Sequence, residues 1–229
     1  GVIRPLGEGG FGAAYLVEDQ RLGRQCVAKA STMHDTTHRQ QFEQEARMLA
    51  DLNHPNLPGI YDYFFDQDCP YLVMQYIEGT TLDRLKEGRS APFEVGQVLR
   101  WASDLLDALI YLHGQDPPVI HRDVKPSNVC IAPAGKAVLL DFGIARRLSD
   151  TSTRTGAQAH SMHYSPIEQY LASEVSSWSI IKQCLDELQA AGVHTGPCSD
   201  VYSLGATLYF ALTLLDPPDA CLRHLGEKP

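Results

Sequence analysis

The stretch HRDVKPSN, residues 121–128, combines two cations, a carboxylate and an amide between the apolar segments VI and VCI. Asp123 can accept a proton from a hydroxyl group, and Lys125 can neutralise charge on a transferred phosphoryl group. Asn128 offers a carbonyl oxygen, which is a hard ligand suited to magnesium. These residue types are suited to a catalytic loop between two buried strands, and the alternative is a loop on a scaffold that no longer does chemistry.

A second carboxylate, Asp141, ends the apolar strand of LLDFGIA, where its burial would be costly unless it met a cation. Lys29 lies on the strand QCVAKA, and Glu45 on the following helix is a natural partner for it. A lysine held by a carboxylate stays charged and can be directed at phosphate groups. The alternatives involve no active site: Lys29 would be a solvent-exposed lysine on a strand, and Glu45 would be one of several acidic residues on the solvent-exposed face of a helix.

Glycines at positions 7, 9 and 12 of GEGGFG fit the pattern G-x-G-x-x-G. Glycine lets the backbone approach a ligand closely and offers amide hydrogens to phosphate oxygens. A plain hairpin turn and a dinucleotide-binding fingerprint are the two alternatives. In a dinucleotide-binding fold the glycines would open a helix, whereas the following AAYLVED has the pattern of a strand.

The composition is that of a globular protein, with 44% apolar and 21% charged residues among 229. A net charge of −9 argues against nucleic acid as a partner. The six cysteines are scattered without a Cys-x-x-Cys pair, which favours reduced thiols in a cytoplasmic protein over disulfides or a zinc site. The most apolar stretch, LGATLYFALTLL at 204–215, is too short to span a bilayer and predicts a buried helix.

Hydrophobic periodicity divides the chain into two parts. Strand-like runs surround a helix predicted at 36–52, and a long amphipathic helix is predicted at 94–113. We therefore expect an α+β fold, with a sheet-rich N-terminal lobe over residues 1–77 and a helix-rich C-terminal lobe over residues 78–229. A further helical pattern, in a segment at about 171–197, predicts either a surface helix packed on the large lobe or a docking or dimerisation helix.

Six motifs, GEGGFG, VAK, HRDVKPSN, DFG, SPIE and DVYSLG, resemble those of eukaryotic-type protein kinases in order and approximate spacing. The phrases LGEGGFG, SPIEQY and DVYSLGATLYFALT are most similar to those of the bacterial serine/threonine kinases. The resemblance covers residues 1 to about 220. It implies a bilobal kinase-like fold with an antiparallel β N-lobe and a mainly helical C-lobe, truncated at both ends and lacking the last C-lobe helices.

The resemblance implies a role for each motif residue. Asp123 is the catalytic base, Lys125 contacts the γ-phosphate, and Asn128 holds magnesium together with Asp141. Asp200 fixes the backbone of the catalytic loop. The nucleotide site is made of the glycine-rich loop, the phosphate-binding pair and the adenine pocket with its hinge. Its residues are Leu6, Gly7, Gly9, Gly10, Phe11, Gly12, Ala14, Ala28, Lys29, Glu45, Met74, Gln75, Ile77 and Cys130.

The implied activity is that of an ATP-dependent protein serine/threonine kinase using Mg²⁺, with Mn²⁺ as the alternative ion. Lys125, two residues after Asp123, indicates serine and threonine acceptors on protein substrates. Arg122 implies control by phosphorylation in the segment 151–155, at Thr151, Ser152, Thr153 or Thr155, with self-association of the chain for autophosphorylation in trans. A membrane anchor is expected only in a region downstream of residue 229.

The sequence departs from the family pattern at Pro166-Ile167-Glu168, where Ala-Pro-Glu is usual and the arginine partner of the glutamate is not visible. Two alternatives to a protein kinase remain. A pseudokinase, which would bind nucleotide or act as a scaffold, usually lacks the lysine, the catalytic aspartate or the metal-binding aspartate, and all three are present. A small-molecule kinase on a related fold is not expected to carry HRDVKPSN and DFG.

Overall fold

The computed structural model describes most of the chain, without the side chains of residues 31, 36–39, 41 and 45. The described residues are 1–9, 12–31, 36–67, 69–141, 163–169, 190, 192, 194–218 and 220. Five antiparallel strands form the N-terminal sheet in the order β1-β2-β3-β5-β4. They are β1 (Val2–Gly9), β2 (Gly12–Asp19), β3 (Arg24–Ser31), β4 (Ile60–Asp66) and β5 (Cys69–Gln75).

Helix α1 (Thr36–Ala50) covers one face of this sheet. Phe42 and Leu49 of the helix are buried in the same core as Leu72 and Met74 of β5. The ring of Phe42 meets Phe65 of β4 edge to face, with the ring centroids 5.8 Å apart. Because side chains alternate along a strand, every second residue of β3, β4 and β5 turns to this inner face.

The described residues of the C-terminal part form three helices and a small antiparallel sheet. The helices are α2 (Leu82–Lys86), α3 (Val95–His113) and α4 (Pro197–Thr213), and the strands are β6 (Thr80–Thr81), β7 (Val129–Ile131) and β8 (Ala137–Leu139). Two 3₁₀ turns occupy Pro126–Asn128 and Ile167–Gln169. Helix α3 buries the stripe predicted from its sequence, from Val98 and Trp101 to Leu112, and packs against α4.

The loop after α1 attaches the N-terminal sheet to the helical part. Asn56, which is buried, donates from Nδ2 to the Ala137 carbonyl oxygen at 2.7 Å and accepts the Leu139 N–H at 2.9 Å. The ring of His54 stacks on Tyr111 of α3 with centroids 5.1 Å apart. These contacts fix where α1 and the sheet stand relative to the strand that leads to Asp141.

The elements agree closely with the sequence predictions. The helix predicted at 36–52 spans 36–50, and the helix predicted at 94–113 spans 95–113. The glycine motif lies between two paired strands, so the dinucleotide-binding alternative, which requires a helix there, is wrong. The apolar stretch 204–215 supplies most of α4, and within the described ranges no helix is long and apolar enough to cross a membrane.

Gly79 joins the two parts at a position where only glycine fits. Its φ is +154°, and a Cβ atom placed there would lie 2.4 Å from the Ile131 carbonyl oxygen and 2.8 Å from Cys130 Sγ. Gly88 also has a positive φ, of +76°, but a Cβ atom there would meet nothing within 4 Å. Substituting alanine at each glycine therefore distinguishes the cost of steric overlap, which arises at Gly79, from the cost of a left-handed backbone alone, which arises at Gly88.

We expect Gly79→Ala to reduce the free energy of unfolding by about 1–3 kcal/mol more than Gly88→Ala does. Gly88→Ala carries only the cost of a left-handed backbone, about 1 kcal/mol. Urea unfolding of both variants measures the difference. An equal decrease in the free energy of unfolding for the two variants would show that β7 moves to accommodate a Cβ atom at position 79 and does not constrain the backbone there.

Candidate active site

The carboxylate of Asp200 holds the backbone of the catalytic loop. Asp200 is fully buried in the first turn of α4, where the helix dipole favours negative charge. Its Oδ2 accepts the His121 N–H and its Oδ1 accepts the Arg122 N–H, both at 2.8 Å. His113, the last residue of α3, donates from Nε2 to the same Oδ2 at 2.8 Å. One buried side chain thus joins two helices to the loop.

Backbone strain is located at the loop and at the end of the strand beside it. Arg122 and Asp141 have φ values of +67° and +65°, in the left-handed region that non-glycine residues rarely adopt. Such a conformation costs about 1–3 kcal/mol and persists only where the surrounding structure enforces it. At Arg122 the enforcing contact is the bond from its N–H to Asp200.

His121 joins the loop to the strand end that carries Asp141. Its Nε2 lies 2.9 Å from the Leu140 carbonyl oxygen, which can only accept, so Nε2 carries the proton. Its Nδ1 accepts the Asp123 N–H at 3.3 Å, so the ring is neutral. Burial lowers the pKa of His121, and this effect outweighs the nearby carboxylates of Asp200, Asp123 and Asp141.

The three polar residues of the loop contact one another. Lys125 Nζ lies 2.8 Å from Asp123 Oδ2, and Asn128 Nδ2 donates to the same oxygen at 2.9 Å. Asn128 Nδ2 also donates to the Asp123 main-chain carbonyl at 2.7 Å. These contacts fix the orientation of the Asp123 carboxylate and leave the carbonyl oxygen of the Asn128 side chain directed away from it.

Lys29 connects the N-terminal sheet to this site. Its Nζ lies 2.6 Å from Asp141 Oδ1, although the two residues are far apart in the sequence. The Asp141 side chain, which is 40% exposed, therefore pairs with a cation without being buried. The predicted pair of Lys29 with Glu45 involves a side chain outside the described residues.

Two of the described side chains could hold a divalent cation. Asn128 offers an amide oxygen and Asp141 offers a carboxylate, and both are hard ligands that fit magnesium. Within the part of the chain that the structure describes, no group of three or more His, Cys, Asp or Glu residues could hold a metal ion. The donor set fits a cation that takes its other ligands from phosphate groups and water.

The family model of the protein kinase domain matches residues 1–219. The chain belongs to this family. Three similar bacterial proteins are a probable serine/threonine-protein kinase of Streptomyces coelicolor, PrkC of Bacillus subtilis and PknB of Mycobacterium tuberculosis, at 35%, 31% and 34% identity. The matches cover 98–100% of this chain but only 32–35% of the relatives, so the chain spans about a third of their length.

Solved kinase structures confirm the predicted bilobal fold. The kinase domain of Mycobacterium tuberculosis PknI matches with a TM-score of 0.69 and 25% identity, over 96% of this chain and 76% of that domain. The apo form of PpkA-294 matches with a TM-score of 0.71 and 25% identity, over 99% of this chain and 80% of that one. Membership of the family implies the use of ATP and a divalent metal ion.

The kinase sheet places Ala28 apart from the other residues of the predicted adenine pocket. Lys29 pairs with Ala14 on one side and Leu72 on the other, so these side chains share the inner face. Ala28, next to Lys29, pairs with Tyr15 and Val73 and turns to the opposite face, away from Lys29 and Ala14. Val27 shares the inner face and pairs with Met74. Counting back two residues from Lys29 along the strand would have found it.

The other predicted nucleotide residues lie on the hairpin, on β5 and beneath Gly79. Gly7 pairs with Ala14 and Gly9 pairs with Gly12, while Leu6 occupies an irregularity in β1. Met74 and Cys130 are buried. Gln75 donates its N–H to the Gly59 carbonyl at the start of the hinge, and Ile77 follows it. Gly10 and Phe11 lie outside the described residues.

Two contacts of the kinase site had no signal in the sequence. His113 reaches Asp200 across 87 positions of the chain. Glu168, whose expected arginine partner is not visible, accepts a hydrogen bond at 2.7 Å from Ser199. The predicted phosphorylation sites at 151–155 and most of the segment at 171–197 lie outside the described residues.

The lowered pKa of His121 predicts a pH dependence of stability. The unfolded chain titrates His121 at about pH 6.5, whereas the folded chain keeps it neutral to lower pH. As the pH falls below about 6.5, His121 binds a proton in the unfolded state but stays neutral in the folded state. The free energy of unfolding then decreases by up to about 1.4 kcal/mol per pH unit from this residue.

In His121→Gln this component of the pH dependence should disappear. Urea unfolding between about pH 7 and about pH 5.5 gives the slope, which does not depend on the absolute stability of each variant. His194→Gln, at an exposed position, is the control that should keep the slope of the unaltered protein. An unchanged slope in His121→Gln would contradict the neutral buried ring.

Proposed function

We propose that the chain is the catalytic domain of a protein serine/threonine kinase, which transfers the γ-phosphoryl group of ATP to protein hydroxyl groups. The observation that carries this proposal is the contact set of Asp123, Lys125 and Asn128, on a loop held from below by Asp200. The curated relatives at 31–35% identity, all named as known or probable serine/threonine kinases, support it.

Each residue acts through its position and charge. Asp123, oriented by Lys125 and Asn128, accepts a hydrogen bond from the acceptor hydroxyl and directs its oxygen at the γ-phosphorus. Lys125 then balances the negative charge that spreads over the transferred group. Lys29, whose Nζ lies 2.6 Å from Asp141 Oδ1, would contact the α- and β-phosphates when ATP is bound.

Asn128 and Asp141 would hold Mg²⁺, with Mn²⁺ as the alternative ion. The cation would neutralise negative charge on the phosphate groups, and among the described residues Asn128 and Asp141 are the two oxygen-bearing side chains proposed to hold it. Asn128 suits this role because its amide nitrogen is already committed to Asp123. Asp141 suits it because its left-handed backbone holds the carboxylate next to Lys29.

Adenine would lie between the two parts of the chain, beside the hinge residues Gln75 and Ile77. The inner-face position of Val27 makes it the β3 residue of this pocket, together with Ala14 and Met74. Cys130 would close the pocket from the C-terminal part, where it is buried beneath Gly79. The glycine hairpin would cover the phosphates.

The partners of this kinase would be protein substrates and a second copy of the chain. Phosphorylation of residues 151–155 would create an anion that Arg122 can pair with, which makes this arginine the sensor of the modified state. We expect the catalytic domain to work in the cytoplasm, because its scattered cysteines favour reduced thiols. Nucleic acid is not among the proposed partners.

Substitution of the proposed base tests the function. In the full-length protein, Asp123→Asn should reduce phosphate transfer from ATP to serine- and threonine-containing proteins by at least about 100-fold. ATP binding in the presence of Mg²⁺ should persist, because Lys29 and Asp141 are unchanged. Asp51→Asn, at an exposed position, is the matched control and should transfer phosphate normally.

A different result would identify a pseudokinase. The unaltered protein would then bind ATP with Mg²⁺ but transfer no phosphate to any protein, itself included. Equal transfer by Asp123→Asn and by the unaltered protein would also contradict the proposal, because it would remove Asp123 from the reaction.

A further inference from the structure

Adjacent residues of α4 hold two different segments. Asp200 binds the catalytic loop, as described above, and Ser199 binds Glu168. Ser199 is 1% exposed, and its Oγ donates to Glu168 Oε1 at 2.7 Å while accepting the Gly196 N–H at 3.1 Å. Because a serine hydroxyl has one proton, that proton is committed to Glu168.

The segment 163–169, which contains Glu168, is held at its other end as well. Tyr164 is buried, and its hydroxyl donates to Asp216 Oδ1 at 2.6 Å. His163 Nδ1 lies 2.9 Å from the Pro217 carbonyl oxygen. Asp216 and Pro217 follow the C-terminal end of α4, whereas Ser199 lies in its first turn. The segment therefore runs along α4 and is fixed to it at both ends.

The segment 163–169 is held by the same helix turn as the catalytic loop, which makes it the candidate for the acceptor side. In phosphoryl transfer the attacking and leaving oxygens are roughly in line, so the acceptor enters opposite the side that holds the nucleotide. Lys29 and the N-terminal sheet lie on the Asp141 side of the loop. The segment 163–169 is instead bound by Ser199, and the next residue of the same helix turn, Asp200, binds the loop.

We propose that Ser199 is a positioning residue for the protein substrate, because its bond to Glu168 fixes the segment 163–169 relative to Asp123. This inference rests on the proposed kinase function. The contacts among Asp123, Lys125 and Asn128 and the bond of Lys29 to Asp141 do not involve Ser199. Loss of the Ser199 hydroxyl therefore displaces the acceptor side and leaves the nucleotide side intact.

The test compares two serines of the same helix in the full-length protein. Ser199→Ala removes the bond to Glu168 and the acceptor of the Gly196 N–H, whereas Ser203→Ala removes a buried hydroxyl that bonds only within the helix, to the Ser199 carbonyl at 3.0 Å. The substrate is the peptide that the unaltered protein phosphorylates best in an array of serine and threonine peptides. We expect Ser199→Ala to lower kcat/KM for this peptide about tenfold, since a hydrogen bond to a charged group is lost.

The KM for ATP should stay within about twofold in Ser199→Ala, and Ser203→Ala should change neither constant beyond that range. In a Glu168→Ala background, Ser199→Ala should have little further effect, because the bond is already absent. This non-additivity is a result that general destabilisation would not produce.

Three outcomes would overturn the inference. They are a Ser199→Ala variant that behaves like Ser203→Ala, a parallel loss in the constants for ATP and peptide, and additive effects of Ser199→Ala and Glu168→Ala. Absence of transfer by the unaltered protein would instead overturn the proposed function, and this inference with it. Activity of the unaltered protein thus distinguishes failure of the inference alone from failure of the function.

Discussion

A single buried carboxylate organises the site. Asp200 has no exposed surface, and a buried charge is tolerated only when hydrogen-bond donors surround it. The donors are the main-chain N–H groups of His121 and Arg122 and the ring of His113. The requirement is reciprocal, because the left-handed backbone at Arg122 needs a strong acceptor to be populated. The loop conformation and the buried charge therefore stabilise each other.

From this carboxylate a continuous series of contacts reaches the N-terminal sheet. Asp200 holds the His121 backbone, the His121 ring donates to Leu140, and Asp141 follows Leu140 and pairs with Lys29 on β3. The two parts of the chain thus meet at the ion pair of Lys29 and Asp141, two residues to which the proposed phosphoryl transfer assigns a role. A neutral imidazole in the middle suits this position, since burial disfavours a charged ring more than the nearby carboxylates favour it.

The sequence predicts the elements and the loop chemistry because both are local. Periodicity locates α1 and α3, and the motif HRDVKPSN carries Asp123, Lys125 and Asn128 at spacings that bring them together on one short turn. Contacts between distant elements are not encoded locally, so His113 and the Ser199 bond to Glu168 became visible only in the structure. The placement of Ala28 differs for another reason: the motif VAK does not take account of the alternation of a strand, which places Val27 rather than Ala28 on the face of Lys29.

The account depends on Asp200 as the anchor of the loop, and amide hydrogen exchange measures this directly. In Asp200→Asn, whose side chain has a single acceptor oxygen, the amides of His121 and Arg122 should exchange at least about tenfold faster than in the unaltered protein. The Leu139 amide, bonded to the Asn56 carbonyl, is the internal reference and should change much less. Unchanged exchange at His121 and Arg122 would contradict the account, because another group would then hold the loop.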